Sequence, residues 1–338
     1  MRAAVIVRPG TPEEAFEIRD IRDPEVVKGH VVIRVLYCGI NHLDLWQRRG
    51  SRYFALDYPR IPGSDAVGIV EDVSEDVDSL KRGDLVVVAP GWGDGVCLRC
   101  LIGSENECDN YTLLGYNVPG CYGEKILVPA RAVYKIDREV NLVELASIPL
   151  TFTTVYHALV TKAKLNPGER VFIWSASGGT GIASIKISKL FNAYVIAHTR
   201  NEWKRDILLE LGADEVVVGD YSNSVEKYRS KIDLVVDYVG EKTFNLSIDL
   251  LRRGGRIVFF GVTSGAETVL NLRNLYTKRI TIYNTYVGSR WEFMKVLDYY
   301  LRGYIKPHVF KVLKLEEVVE AHRILERGEV VGKIILKH

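Results

Sequence analysis

Two short groups of residues carry most of the chemistry legible in this chain. The first is Ala176-Ser177-Gly178-Gly179-Thr180-Gly181, which follows the apolar run Val171-Phe172-Ile173-Trp174 and opens an apolar-periodic stretch. A strand, a glycine-rich turn and a helix N-terminus in that order let backbone amides approach a pyrophosphate, and the helix dipole favours its negative charge. Gly178, Gly179 and Thr180 are the residues expected to line a dinucleotide. The loop departs from G-x-G-x-x-G at one place: Ala176 stands at the first glycine, with Gly178 and Gly181 at the second and third. The second group is Asp94, Cys97, Cys100 and Cys108, spaced Asp-x2-Cys-x2-Cys-x7-Cys. Three thiolates and a carboxylate can surround a tetrahedral zinc ion. With no position left for water or substrate, one structural zinc per chain is expected there.

A third position concerns which dinucleotide binds. Sites for NAD usually place an acid after the second strand to hold the ribose 2′-hydroxyl. Here the chain reads Ala197-His198-Thr199-Arg200-Asn201, with no acid at that point and Glu202 as the nearest competitor. Arg200 and Lys204 can hold a 2′-phosphate through charge-assisted bonds, and Thr199 can add a hydroxyl. The pattern predicts NADP(H).

The elements that must position these groups follow from periodicity. Residues 1 to about 148 read mostly as β, with short alternating runs at Ala3-Val7, Val31-Tyr37, Ala66-Val70, Leu85-Ala89 and Glu124-Val128. Between Pro90 and Tyr122 the periodicity fails, and a lobe without its own core needs a staple. From about 151 strands alternate with helices: Val171-Trp174, Tyr194-His198, Glu215-Val218, Leu234-Asp237, Arg256-Phe260 and Ile280-Tyr283, with helices clearest at Trp203-Leu211 and Thr243-Leu251. Repeated βα units with short apolar strands predict a doubly wound parallel sheet covered on both faces. The tail, 289–338, carries two helical stretches and a final strand, Lys333-Leu336, and is expected to return to the first domain.

Bulk composition excludes several function classes. The chain has 338 residues, 45 basic and 43 acidic side chains and a net charge of +2, which gives no reason to expect nucleic acid or an anionic membrane as partner. No apolar run approaches the ~20 residues of a membrane span, and the first residues start a strand pattern, so a cytoplasmic protein is expected. Of five cysteines three cluster, and Cys38 and Cys121 stand apart; clustering in such a chain suggests metal before disulfides. Gln47 is the only glutamine, a scarcity of thermolabile side chains that suggests a hot habitat.

Taken together, the chain resembles the medium-chain dehydrogenase/reductase superfamily over essentially its whole length. The resemblance is carried by Gly63 to Val70, the cysteine lobe, Pro149 to Tyr156, the glycine loop, Val236 to Gly240 and the terminal Gly332-Lys333. It implies a GroES-like β-rich catalytic domain over 1–150, a Rossmann domain over 151–288, an active site in the cleft between them, and a homodimer or homotetramer. Zinc alcohol dehydrogenases of this superfamily also hold a catalytic zinc. Aligned by motif, its ligand positions fall on Asn41, Ser64, Asp65 and Leu150. Asn and Leu are not zinc ligands and Ser is a poor one, so the resemblance is to the quinone-oxidoreductase-like branch, with no catalytic zinc. That branch shares the asparagine and commonly uses NADPH, although the cysteine lobe is not typical of it. An ion gathered by His42, Asp44 and Asp65 is the residual metal alternative.

Without that zinc the site lacks a Lewis acid worth several kcal/mol. Simple alcohol oxidation is disfavoured, whereas a quinone or enone spreads incoming charge over its own π system. An activated carbonyl remains accessible if a hydrogen-bond donor polarises it, at ~3 kcal/mol for one donor; Asn41 and Ser64 are the candidates. By resemblance, His42 and Asn41 approach the cofactor, Thr154 contacts its nicotinamide end, Phe260, Gly261, Val262, Tyr286 and Val287 line the ring, and Lys333 reaches it from the catalytic domain. Trp46, Tyr53, Trp92, Tyr116 and Trp291 are candidate walls for an apolar or aromatic carbonyl, enone or quinone substrate. The leading expectation is NADPH-dependent hydride transfer without a catalytic metal. The alternatives are a zinc alcohol dehydrogenase with atypical ligands and a non-catalytic nucleotide-binding protein.

Overall fold

Where buried positions alternate in the first half of the chain, strands form, and where they recur at helical spacing in the second, helices cover a parallel sheet. The computed structural model describes residues 1–50 and 56–338, so Tyr53 lies outside the described residues. The backbone divides into two compact units. One comprises Met1–Leu150, Ser289–Met294 and His308–His338; the other comprises Thr151–Gly288 and Lys295–Pro307. The sequence reading gave all of 289–338 to the first unit. Residues 295–307 fall in the second because one helix, Arg290–Leu301, contributes residues to both.

In chain order the first unit opens with β1 (Arg2–Ile6) and β2 (Phe16–Asp20), an antiparallel pair. β3 (His30–Gly39) leads into helix α1 (His42–Arg49), followed by β4 (Asp65–Val73), β5 (Leu85–Val88), β6 (Lys125–Pro129) and β7 (Val133–Lys135). The second unit supplies β8 (Arg170–Ile173), α2 (Gly179–Leu190), β9 (Tyr194–Thr199), β10 (Glu215–Val218), β11 (Ile232–Asp237), α3 (Phe244–Leu250), β12 (Leu251–Phe259) and β13 (Thr281–Asn284). The chain then closes the first unit with β14 (Val309–Lys314), α4 (Val318–Glu326) and β15 (Lys333–Lys337).

The second unit's strands run in the order β10-β9-β8-β11-β12-β13, all parallel. Reversal of strand order at β8 is the arrangement that leaves a binding crevice beyond the carboxyl ends of the strands. Its core packs Phe172, Trp174, Ile196, Val235 and Ile257, all fully buried. The helix expected over Trp203-Leu211 is shorter: a 3-10 turn, Glu202–Lys204, precedes an α-helix, Arg205–Glu210.

The first unit's sheet runs β14-β15-β3-β4-β5-β7, with β6 also pairing along β3. Two registers decide what meets at its centre. β15 lies antiparallel to β3 with Ile335 opposite Gly39, and β4 lies antiparallel to β3 with Asp65 opposite Gly39. The last strand of the chain therefore brings Lys333 beside the residues that follow Gly39. Among the described residues, no helix is long and apolar enough to cross a membrane.

Cys38 and Cys121 form a disulfide, a pairing that cysteine spacing did not reveal. Both are fully buried, so proximity in the folded sheet, not position in sequence, pairs them. The bond closes a separation of 83 residues, which on loop entropy alone stabilises the fold by about 4–5 kcal/mol. Denaturant unfolding of Cys38→Ala/Cys121→Ala beside the oxidised wild type should register a loss of about 2–5 kcal/mol; an unchanged midpoint would contradict the staple.

Candidate functional site

The glycine loop sits between β8 and α2, at the carboxyl end of the parallel sheet. Gly178 caps α2 in an extended conformation, and a Cβ built there meets nothing within 4 Å. At Gly181 the opposite holds: a Cβ would lie 2.2 Å from the Ala176 carbonyl oxygen. The loop thus needs one glycine for close helix–strand packing and leaves open space over another. Unused amides of the first helical turn face that opening, so the residues present fit a pyrophosphate. Ser175 holds a left-handed φ of 49° and is clamped on both sides: Tyr238 Oη donates to its carbonyl at 2.9 Å, and its Oγ pairs with Tyr221 Oη at 3.2 Å.

Other residues expected to touch the nucleotide follow the ends of neighbouring strands of the same sheet. Thr199 ends β9 and is buried, and Arg200 follows it, exposed. Lys204 is buried, with Nζ 3.1 Å from Ser177 Oγ in the glycine loop and 5.1 Å from the centre of the Trp203 ring. Glu202, the competing acid, is turned onto Arg205. Phe260, Gly261 and Val262 follow β12, while Tyr286 and Val287 follow β13. Thr154 is buried on the helix Pro149–Tyr156. His198 is buried too, and desolvation drives its imidazole pKa down to about 4; the Gly219 carbonyl at 3.0 Å opposes this weakly.

In the first unit the cysteine lobe brings four ligand atoms together. Those of Asp94, Cys97, Cys100 and Cys108 all lie within 4.8 Å of one another, and Cys97 Sγ is 3.6 Å from Cys108 Sγ. A tetrahedral ion with bonds of about 2.3 Å to sulfur fits that span. Asp94 Oδ1 accepts N–H bonds from Val96 and Cys97, both 2.9 Å, and these amides hold its carboxyl well below the usual carboxylate range. Burial pushes the Cys100 thiol up to about 12. A bound cation would reverse that, because only thiolates ligate. Gly93 permits the approach, since a Cβ there would sit 2.4 Å from Cys100 Sγ.

At the centre of the first unit lies a buried polar knot. Lys333 Nζ donates to Ile40 O at 2.7 Å, Asn41 Oδ1 at 2.7 Å and Asp65 Oδ2 at 2.8 Å. Asn41 Nδ2 donates to the same carboxylate oxygen at 2.9 Å, and the Leu150 amide donates to Asp65 Oδ1 at 2.6 Å. An ammonium has three donors, and all three are engaged within this unit; the expected role of Lys333 as a reach toward the cofactor finds no free N–H here. Asn41 and Ser64, expected to polarise a substrate, are likewise turned inward. Asn41 spends its amide on Asp65, and fully buried Ser64 donates to Leu114 O at 2.7 Å. The donor set does not suit a catalytic zinc: Asn41 and Leu150 supply no metal ligand, and an ammonium already neutralises Asp65.

Asp44 forms a second knot one turn into α1. Its Oδ2 accepts the Asn41 amide at 2.8 Å and the Tyr122 hydroxyl at 3.3 Å, and its Oδ1 accepts the Gly63 amide at 3.2 Å. Tyr122 Oη also lies 3.1 Å from His322 Nε2 on α4. Desolvation raises the Asp44 carboxyl to about 7 against the lowering effect of those amides and Lys333. Nothing in one-dimensional spacing marked Tyr122, His322 or the Lys333–Asp65 pair; only the register of β3, β4 and β15 joins them. His42 opens α1 with an exposed surface, yet the protein mass around its imidazole, with Arg49 adding to it, holds the pKa down to about 4. The aromatic candidates sit on different elements. Trp46 packs edge-on against His42 at 5.6 Å, the Arg60 guanidinium lies 5.7 Å from the centre of the Tyr116 ring, Trp92 is buried and Trp291 is exposed.

Comparison with known proteins agrees with this geometry. Residues 27–138 match the family model described as "Alcohol dehydrogenase GroES-like domain", and residues 179–302 match "Zinc-binding dehydrogenase". An NAD-dependent alcohol dehydrogenase of Sulfolobus acidocaldarius is 32% identical, over 100% of this chain and 99% of that protein. An acryloyl-coenzyme A reductase of Sulfurisphaera tokodaii is 31% identical, over 98% of this chain and 99% of that protein. A crystal structure of an NAD-dependent alcohol dehydrogenase superposes with a TM-score of 0.93 at 35% identity, covering 100% of both chains.

The raised Asp44 carboxyl has a testable sign. A carboxyl whose folded pKa lies above its unfolded value stabilises fully below about pH 4 and loses that contribution as pH rises through about 7. Relative to Asp44→Asn, the wild type should therefore lose about 4 kcal/mol between pH 4 and pH 8. Parallel pH–stability curves for the two proteins would show that Asp44 is ionised throughout.

Proposed function

Since this chain belongs to the medium-chain dehydrogenase/reductase superfamily, and is an oxidoreductase of that family, we propose that it transfers hydride from NADPH to a conjugated or activated carbonyl, an enone or a quinone, without a catalytic metal. The observation that carries this reading is the buried Lys333–Asp65–Asn41 knot at the positions aligned with catalytic-zinc ligands. Bound nicotinamide supplies the hydride. The chain's own residues hold the nucleotide through the α2 amides and keep the first unit's polar atoms engaged with one another. No Lewis acid is then offered to an alkoxide, so the acceptor must delocalise the incoming electron pair itself. The acryloyl-coenzyme A reductase at 31% identity is named for such an acceptor, which supports the reading. His42, neutral above about pH 5 on the direction of its shift, would pass on a solvent proton rather than carry a standing charge.

Preference for NADPH rests on the missing acid after β9, on buried Lys204 beside Ser177, and on Glu202 being occupied by Arg205. A 2′-phosphate would gain charge-assisted bonds from Lys204 and Arg200. Zinc in the lobe is supported by the ligand spacing and by the fit of the four ligand atoms.

A second reading, NAD-dependent alcohol oxidation, is favoured by the names of the relatives at 32% and 35% identity. One panel decides between them: NADPH and NADH oxidation with ketones, enones, quinones and enoyl thioesters, beside alcohol oxidation with both oxidised cofactors. The expected result is NADPH-dependent reduction of the conjugated acceptors, with a cofactor preference that drops at least about tenfold in Lys204→Ala. Faster alcohol oxidation with NAD would sink the proposal.

Metal analysis makes a separate prediction. The intact protein should carry one zinc per chain, and Cys100→Ser should lose both the ion and thermal stability. Chelation should remove activity only as slowly as it unfolds the protein; rapid loss with the fold intact would point to a catalytic ion.

A further inference from the structure

Three of the four chain positions aligned with catalytic-zinc ligands are tied together here by hydrogen bonds. Lys333 Nζ reaches Asn41 Oδ1 and Asp65 Oδ2, Asn41 Nδ2 closes the ring on the same Asp65 oxygen, and Asp65 Oδ1 takes the Leu150 amide. The fourth position, Ser64, is turned away onto Leu114 O. A further bond from Lys333 pins the Ile40 carbonyl. The end of β3, the start of β4 and the Leu150 segment are thus joined through one positive centre, delivered by a strand whose sequence position is 268 residues from Asp65.

From this closed set we infer that Lys333 is a positioning residue, whose ammonium does the cross-linking work of a metal ion at this place. The inference rests on the proposed reading that the site works without one. A cation binding electron-rich atoms can join chain segments whether it is a metal or an ammonium. The difference is that the ammonium has three directed donors, all used, and no open coordination position. It therefore keeps the architecture and gives up the Lewis acid. The ring also fixes the Asn41 side chain in one orientation, because Oδ1 must face the ammonium and Nδ2 the carboxylate. Asn41 immediately precedes α1, and its amide is bonded to Asp44 inside that helix. Holding Asn41 consequently holds the helix start, with His42 and Trp46 on it. Lys333 is buried to within 4% of full and Asp65 is fully buried, so neither charge has water as an alternative partner.

Hydrogen exchange, stability and kinetics on three proteins separate this role from simple charge balance. In Lys333→Met the amides of 36–49 and 146–152 should exchange at least about tenfold faster than in wild type, while those of β9 and the NADPH affinity stay unchanged. Its melting temperature should fall below that of the wild type, because Asp65 is left buried without its cation. Lys333→Met/Asp65→Asn removes the stranded charge. It should regain most of the lost stability, yet keep the fast exchange of 36–49. For any acceptor the wild type reduces, its kcat/KM should be about 10–100-fold lower at unchanged NADPH affinity. Unchanged exchange in Lys333→Met overturns the proposal, as does weakened NADPH binding with normal exchange, which would assign Lys333 to the nucleotide. Restoration of slow exchange in the double variant also overturns it, by reducing the role to charge compensation. If the wild type reduces none of the panel, the proposed reaction fails, and the exchange and melting data still decide the role of Lys333.

Discussion

One ammonium buried among three acceptors constrains the whole first unit. Removing Lys333 and Asp65 from water costs several kcal/mol per ion, and their mutual attraction repays this only when every remaining donor and acceptor is satisfied. Here every one is: three acceptors on Lys333, three donors on Asp65. Such a pair adds little net stability, but it penalises any arrangement in which a member loses its partner. The strands that carry these residues are therefore held to one register. A slip of β15 against β3 by one residue would turn Lys333 to the other face of the sheet and strand Asp65.

The neighbouring knot follows the same logic at lower charge. Asp44 gathers the start of α1, the loop before β4 and Tyr122, and Tyr122 extends the chain of bonds to His322 on α4. The disulfide enters this region from behind. Cys38 lies three residues before Asn41, and Cys121 immediately precedes Tyr122, so the covalent link and the Asp44 knot act on the same two segments. Around Gly63 there is no spare room: a Cβ would meet the Tyr122 ring at 2.6 Å and both disulfide sulfurs at 3.0 Å or less.

In the second unit, sheet order does the positioning. Parallel strands reverse their order at β8, and the second-unit residues expected at the nucleotide, save Thr154 on its helix, lie at or just beyond the carboxyl ends of strands. Buried aromatic rings support the loop from beneath, Trp174 packing edge-on against His198 and Tyr221. That support explains how Ser175 is kept in a left-handed conformation, which costs a non-glycine residue free energy.

Much of this was legible in one dimension, because it is local. The glycine loop, the Asp-Cys-Cys-Cys spacing, the β-rich start and the alternating second unit are all patterns within a few tens of residues, and periodicity reports them directly. Missing ligand chemistry at Asn41 and Leu150 could also be read from residue type alone. What occupies that place could not. Sequence alone could not show that Lys333, Asn41 and Ser64 bond to atoms of their own unit, since nothing in it says which way a side chain turns. Pairing Lys333 with Asp65, Tyr122 with His322 and Cys38 with Cys121 depends on strand registers and helix packing across separations of 83 to 268 residues. Composition decided what kinds of bond this chain can make; only the folded sheet, by forcing distant charges out of water together, decided which bonds it makes.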